Sequence, residues 1–388
     1  MFMSRVPALV EPELLRWARR TAGMTLEDAA RKVPTKPERL ETWERGDDRP
    51  TLNQLRKLAN AYKRPIAVFY LPEPPSDFKP LQHDFRRLPG LVSALKSPRL
   101  LYEIRRAYGR REVALDLFSS AGQAPRAFTL TAALDEDPED LGVRVRGKLA
   151  PIVPKNWSSA YDPFNFWRSR LEATGVLVFQ AERIEIGEMR GFSISERSLP
   201  VIVLNMKDTP RGRVFTMLHE LTHLMLHEAG VCDLREEAER PEENKIEIFC
   251  NRVAGAALVP QNEILAEGVV KSKKKRDTWS NSEIRFLANR FGVSREVILR
   301  RLLILGRATQ DFYKGKRAEF EDAYAQSPPE EGFAPPHRIA LSTAGLLFAR
   351  LVLTSYYQDS ITASDVSDFL GVRLRHLPKI EAELFPAH

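Results

Sequence analysis

Cysteine is nearly absent from this chain: Cys232 and Cys250 are the only two in 388 residues. A disulfide framework is excluded, and a reducing cytoplasm is the expected setting. Long apolar runs are also missing. The most apolar stretch, Ala340 to Tyr357, is broken by Ser342, Thr343, Arg350, Thr354 and Ser355, and reads as one buried helix, not a membrane span. The start, MFMSRVPALVEPELL, has no apolar core followed by a small-residue cleavage site, so no signal peptide is expected. Neither sign of charge dominates: 59 basic against 52 acidic residues give +7 and a pI near 9.3, which permits nucleic-acid contact without requiring it. Histidine is scarce, at seven residues. What the chain does have is 43% hydrophobic residues, enough for real cores, and a length that suggests two or three domains.

Residues 12–71 read as a compact helical unit. Leu14, Leu15, Trp17, Ala18 and Ala22 recur on a helical period. Thr25 with Asp28 forms a near capping box for a second helix, Pro37 suits the first turn of a third, and Gly46 ends it. A fourth helix, 51–62, turns Leu52, Leu55, Leu58 and Ala59 inward, and a short fifth is predicted over 65–71. LPEPPSDFKP is a proline-rich linker, and SPPEEGFAPP at 327–336 is a second candidate. Residues 95–120 look helical, whereas 121–160 carry no period that assigns them. Strands are predicted over 175–180, 191–195 and 200–204, then helices over 213–228 and 245–258, and helix throughout from Gln261. The fold class is therefore α+β and mostly α-helical. The division expected is a helix-turn-helix domain at 10–72, a linker at 73–90, a central domain at 91–265 and a helical C-terminal region at 266–388.

The chemistry is concentrated in RGRVFTMLHELTHLMLHE, residues 211–228. His219 and His223 are four residues apart, so on a helix they stack on one face, where two neutral imidazoles can hold one Zn²⁺. Glu220 points beside them, placed to take a proton from a water that the metal acidifies. The flanking Val214, Phe215, Met217, Leu218, Leu221, Leu224, Met225 and Leu226 imply a buried helix, in which such polar groups need partners. A hydrolytic zinc centre takes a third protein ligand. His227 continues the row of histidines one turn further; Asp233, Glu236, Glu237 and Glu239 lie in a polar stretch; Glu247 stands near the start of the next helix. Spacing alone leaves Glu247 balanced between a ligand and a glutamate favoured by the helix dipole.

The segments PVIVLN (200–205), RVFTMLHELTHLMLH (213–227) and EIFCNRVAGAALVP (247–260) together resemble the ImmA/IrrE family of bacterial zinc metallopeptidases. The resemblance implies a zincin-like core with one catalytic zinc on His219, His223 and Glu247, and Glu220 as the base. YLPEPPSDFKPLQHDFRRL (70–88) resembles the linker found where this family is fused to a helix-turn-helix domain, and FLANRFGVSREVILRRLLILG (286–306) its helical follow-on. Ahead of that linker, residues 17–62 resemble the phage-repressor-like (Xre) domains, with Trp43-Glu44, Gly46 and Pro50 as landmarks. In such domains the third helix enters the major groove. That implies base contacts from Thr35, Lys36, Glu38, Arg39 and Thr42, with Leu40 and Trp43 in the core, Glu44 structural and Arg45 near phosphate.

Two functions follow. One is a DNA-binding regulatory zinc endopeptidase that cleaves a repressor or another regulator, with roles in stress response or toxin–antitoxin modules implied by the resemblance. The other is a non-proteolytic, antitoxin-type regulator that binds DNA and a partner such as a toxin. Glu220 favours the first, because a structural metal has no use for a base beside it. A homodimer on paired half-sites fits either, and no membrane partner is expected.

Overall fold

A computed structural model of the chain describes residues 7–75, 97–227, 231–232, 241–273, 278–325 and 334–385. It is α+β and mostly helical, and it divides into two compact units, Met1–Arg106 and Ala107–His388.

The first unit is built on α1 (Pro12–Thr21), α2 (Leu26–Lys32), α3 (Pro37–Arg45) and α4 (Leu52–Tyr62). Local chemistry sets their limits. Thr25 and Thr51 accept hydrogen bonds from the backbone N–H of Asp28 (3.1 Å) and Gln54 (3.3 Å), and those two side chains return the bond, a complete capping box each time. Gly46, at φ 86°, supplies the left-handed residue that ends α3. Leu14, Leu15, Leu40, Trp43, Leu55, Leu58, Tyr62 and Phe69 form the core. Leu52 is the exception to the inward set: as the first residue of α4 it is 36% exposed, and Tyr62, a full helix length away, is buried. The predicted fifth helix is a 3₁₀ turn, Ile66–Tyr70. Glu44 is buried and receives both arms of the Arg19 guanidinium at 2.7 and 2.9 Å, which pins α3 to α1.

A long helix, Pro98–Ser120, begins in the first unit and ends in the second. The second unit is organised by a four-stranded sheet of order β1-β3-β2-β4, with β1 at Leu177–Ala181, β2 at Gly191–Ile194, β3 at Val201–Asn205 and β4 at Val231–Cys232. β1 and β3 are parallel, and β2 runs antiparallel to β3 and to β4. The register pairs Val178 with Ile202, Ser193 with Ile202 and Gly191 with Leu204, so these side chains share one face. The core on that face includes Val214, Leu218 and Leu221 of the helix Pro210–Met225. On the opposite face Phe179 meets Phe348 edge-on at 5.8 Å. Burial on both faces explains why β1 and β3 read as mostly apolar, with Gln180 and Asn205 the polar exceptions.

The stretch expected as one helix near the C-terminus is two, Pro336–Ala344 and Leu346–Tyr357, bent by 106°. The break is at Gly345, φ 80°, where a Cβ would stand 2.6 Å from Val178 O and 2.8 Å from Glu172 Oε1. Among the described residues no single helix is long and apolar enough to cross a membrane.

The unassigned stretch 121–160 contains the helix Pro138–Leu149, capped by Asp137, which accepts from the N–H groups of Glu139 (2.8 Å) and Asp140 (3.1 Å). It packs backbone to backbone on the helix Pro241–Leu258: a Cβ at Gly142 would fall 2.5 Å from Ala256 Cβ and 2.8 Å from Ala257 N. Gly147, on the same helix, is exposed and faces open space. Gly142→Val should therefore lower stability by about 2 kcal/mol or more through overpacking, and Gly147→Ala should raise it by about 0.5–1 kcal/mol through helix propensity. Urea midpoints of the two variants check the pair; equal shifts would deny the close helix contact.

Candidate metal centre

The helix Pro210–Met225 opens one turn before the predicted start. Thr209 caps it, accepting from Gly212 N–H at 3.0 Å, and Pro210 follows at the first position. Every residue from Arg213 to Met225 is buried, so the helix has no solvent face. Polar groups on it must then be met inside the protein. Arg213 is met by Gln180 Oε1 and by the faces of Phe164 (4.7 Å) and Tyr161 (5.7 Å). Gln180 in turn donates to Ser342 O at 2.8 Å.

His219 and His223 lie one above the other, Nε2 to Nε2 at 3.0 Å. Glu247 reaches both, with Oε2 at 3.2 Å from His219 Nε2 and Oε1 at 3.2 Å from His223 Nε2. Four ligands spaced tetrahedrally around a zinc ion at about 2.0–2.1 Å stand roughly 3.3 Å from one another. Each imidazole nitrogen is thus at near-ligand spacing from the other and from one oxygen of Glu247, and two nitrogens with one carboxylate is a donor set that suits zinc with one position left open. The outer nitrogen of His219, Nδ1, is 3.0 Å from Asn251 Oδ1. Cys250, buried beside it in sequence, faces His223.

Helix packing delivers Glu247. The helix that carries it begins at Pro241, so Glu247 lies in its second turn, beyond the reach of the first-turn dipole effect. Its other side rests on Gly142, as described above. His227 is not brought in: the histidine helix ends at Met225, and His227 is exposed, in the left-handed region at φ 57°. Asp233, Glu236, Glu237 and Glu239 lie outside the described residues.

Glu220 is fully buried, and among the described residues neither of its carboxyl oxygens makes a hydrogen bond of good geometry, the Ser193 hydroxyl being the polar group beside it. Its carboxyl lies against β2, where a Cβ at Gly191 would stand 3.3 Å from Glu220 Oε1 and 2.6 Å from Thr216 Cγ2. Ser193, two residues on and on the same face, is buried too. Sequence reading missed both β2 residues; a glycine opening a strand was the available signal. Burial pushes the Glu220 carboxyl up to about 8. Burial likewise lowers His219, favouring the neutral imidazole that a metal needs. Burial opposes charge on Glu247 too, but the two imidazoles outweigh it and hold the carboxylate well below its usual range.

In the first unit, Lys36, Glu38 and Arg39 are exposed on α3 and the turn before it, and Thr35 and Thr42 are half-buried. Arg39 stands 3.5 Å from Asp48, and Arg45 pairs with Asp47 at 2.9 Å. An open depression of about 570 Å³ is lined by Ala30, Arg31, Pro34, Thr35, Lys36, Arg39 and Gln54; Arg31 and Gln54 were not anticipated.

No curated protein matches the chain. Two family models do. Residues 13–68 match a helix-turn-helix domain, and residues 171–303, which hold every donor described above together with Glu220, match the IrrE N-terminal-like domain. The chain thus joins a helix-turn-helix domain to an IrrE N-terminal-like, metallopeptidase-like domain.

Proposed function

We propose that this protein is a zinc metallo-endopeptidase that binds DNA through residues 10–72 and cleaves a transcriptional repressor or another regulatory protein. The observation that carries the reading is the gathering of His219, His223 and Glu247 around one point, with a buried carboxyl on Glu220 beside it. A purely structural site has no use for a buried carboxyl beside the three donor residues.

In this reading His219, His223 and Glu247 hold one Zn²⁺. When bound there, zinc would supply a Lewis acid for a peptide carbonyl and bring the pKa of a water to about 7. Glu220 accepts the proton of the attacking water and passes it to the departing amine, a role worth about 10²–10⁴ in rate. Gly191 leaves room for the Glu220 carboxyl against the sheet. Arg213 is engaged by Gln180 and His337 by Glu383 at 3.2 Å.

The helix-turn-helix match supports contact with DNA. We assign Thr35, Lys36, Glu38, Arg39 and Thr42 to the groove, with two copies of the chain on paired half-sites. The peptidase domain, proposed at 91–265, follows the 73–90 linker, and the helical region 266–388 completes the chain in the cytoplasm. A toxin partner belongs to the alternative, non-proteolytic reading.

Metal and base are tested separately. Zinc at one hundred times its Kd should stabilise wild type by about 2.7 kcal/mol, and His223→Ala should lose that gain; Tm with and without chelator reads both. Glu220→Gln should retain one zinc per chain while cleavage of repressors encoded nearby falls by about 10²–10⁴-fold. If wild type and Glu220→Gln both bind zinc and shift promoter DNA, yet neither cleaves any partner, the antitoxin-type regulator is the better account. Lys36→Ala should weaken DNA binding and flatten its salt dependence, measured by fluorescence anisotropy across salt concentrations.

A further inference from the structure

A neutral imidazole carries one proton on two nitrogens, and which nitrogen carries it decides whether the ring can bind a metal through the other. His219 turns Nε2 toward His223 and Glu247 and turns Nδ1 toward Asn251 Oδ1 at 3.0 Å. An amide oxygen only accepts. With it at Nδ1, the proton stays on Nδ1 and the Nε2 lone pair is left facing the other donors. Asn251 is four residues after Glu247, so the two side chains lie on one face of the same helix, one turn apart. Asn251 is 4% exposed, and its Nδ2 has no hydrogen-bond partner. A buried amide kept for folding alone would satisfy its donor as well as its acceptor. Among the described residues the Asn251 side chain makes only the bond to His219.

We infer that Asn251 is a positioning residue for the metal: by accepting from His219 Nδ1–H it fixes the tautomer and ring angle that present Nε2 to the ion. The inference rests on the reading of His219, His223 and Glu247 as the metal-holding set. One helix then supplies both a donor to the ion, Glu247, and, one turn later, the group that orients a second donor.

The test uses the full chain, stripped of metal and titrated with Co²⁺ and with Zn²⁺ against a chromophoric chelator. Asn251→Leu keeps the side-chain volume and removes the acceptor; Asn251→Asp keeps an acceptor. The expected result is a 10–100-fold weaker affinity for both ions in Asn251→Leu, with an altered visible Co²⁺ spectrum, and affinity at or above wild type in Asn251→Asp. Urea midpoints report whether each variant is folded. Wild-type affinity and spectrum in folded Asn251→Leu would overturn the inference and leave the metal reading standing. Should Asn251→Leu fail to fold, Asn251→Asp decides alone: affinity more than tenfold below wild type overturns the inference. A wild-type chain that holds neither ion overturns the metal reading itself, and this inference with it.

Discussion

The constraint on which the second unit depends is the burial of three ionisable side chains, His219, Glu220 and His223, on a helix with no solvent face. Each is costly there unless something meets it. The two histidines are met by Glu247, which needs a second helix at close range. On the far side of that second helix, Gly142, lacking a side chain, lets the helix Pro138–Leu149 press on Ala256 and Ala257. Arg301 locks the same assembly, reaching Val259 O at 3.0 Å and holding Glu139 with both arms. Glu220 faces the sheet, where β2 offers a glycine in place of a wall and the Ser193 hydroxyl as its polar neighbour.

How much of this could be read in advance follows the range of each interaction. The histidine pair was legible because its four-residue spacing is a property of one helix. The caps at Thr25 and Thr51 and the stop at Gly46 were legible for the same reason: each is settled within a few residues. Glu247 was not legible from spacing, because its partner is another helix and only packing brings the two together. Resemblance to a family pointed to it, and the geometry gives the physical reason. Gly142 was hidden inside a stretch of Pro, Gly, Ala and Asp with no period, yet it makes the tightest helix contact near the site.

Two misreadings have separate causes. Leu52 was placed inward on a periodic pattern, but a first-turn residue has only one neighbouring turn to cover it. The apolar stretch from Ala340 was read as one helix because nothing in its hydrophobicity marks a stop. The stop comes from outside: Gly345 passes so close to β1 and to Glu172 that a side chain cannot fit. Leu346 N–H then donates to Glu172 Oε1 at 3.1 Å, so the second helix starts on a buried carboxylate.

That contact bears on where the metallopeptidase-like domain ends. The family match stops at residue 303, but the outer face of the sheet is covered by residues beyond it. Phe348 seals Phe179, and the carbonyls at the end of the helix Pro336–Ala344 receive Arg110 (Thr343 O, 2.7 Å), Arg168 (Ser342 O, 2.9 Å) and Gln180 (Ser342 O, 2.8 Å). Gln180 also holds Arg213, in the first turn of the histidine helix. A chain ending at 303 would expose that apolar face, at about 1.5–3 kcal/mol for a large side chain. It would also remove the carbonyls that hold Arg110, Arg168 and Gln180 in place. The C-terminal helices are in this sense part of the same folded layer as the helix that carries His219 and His223, reached through Gln180 and Arg213.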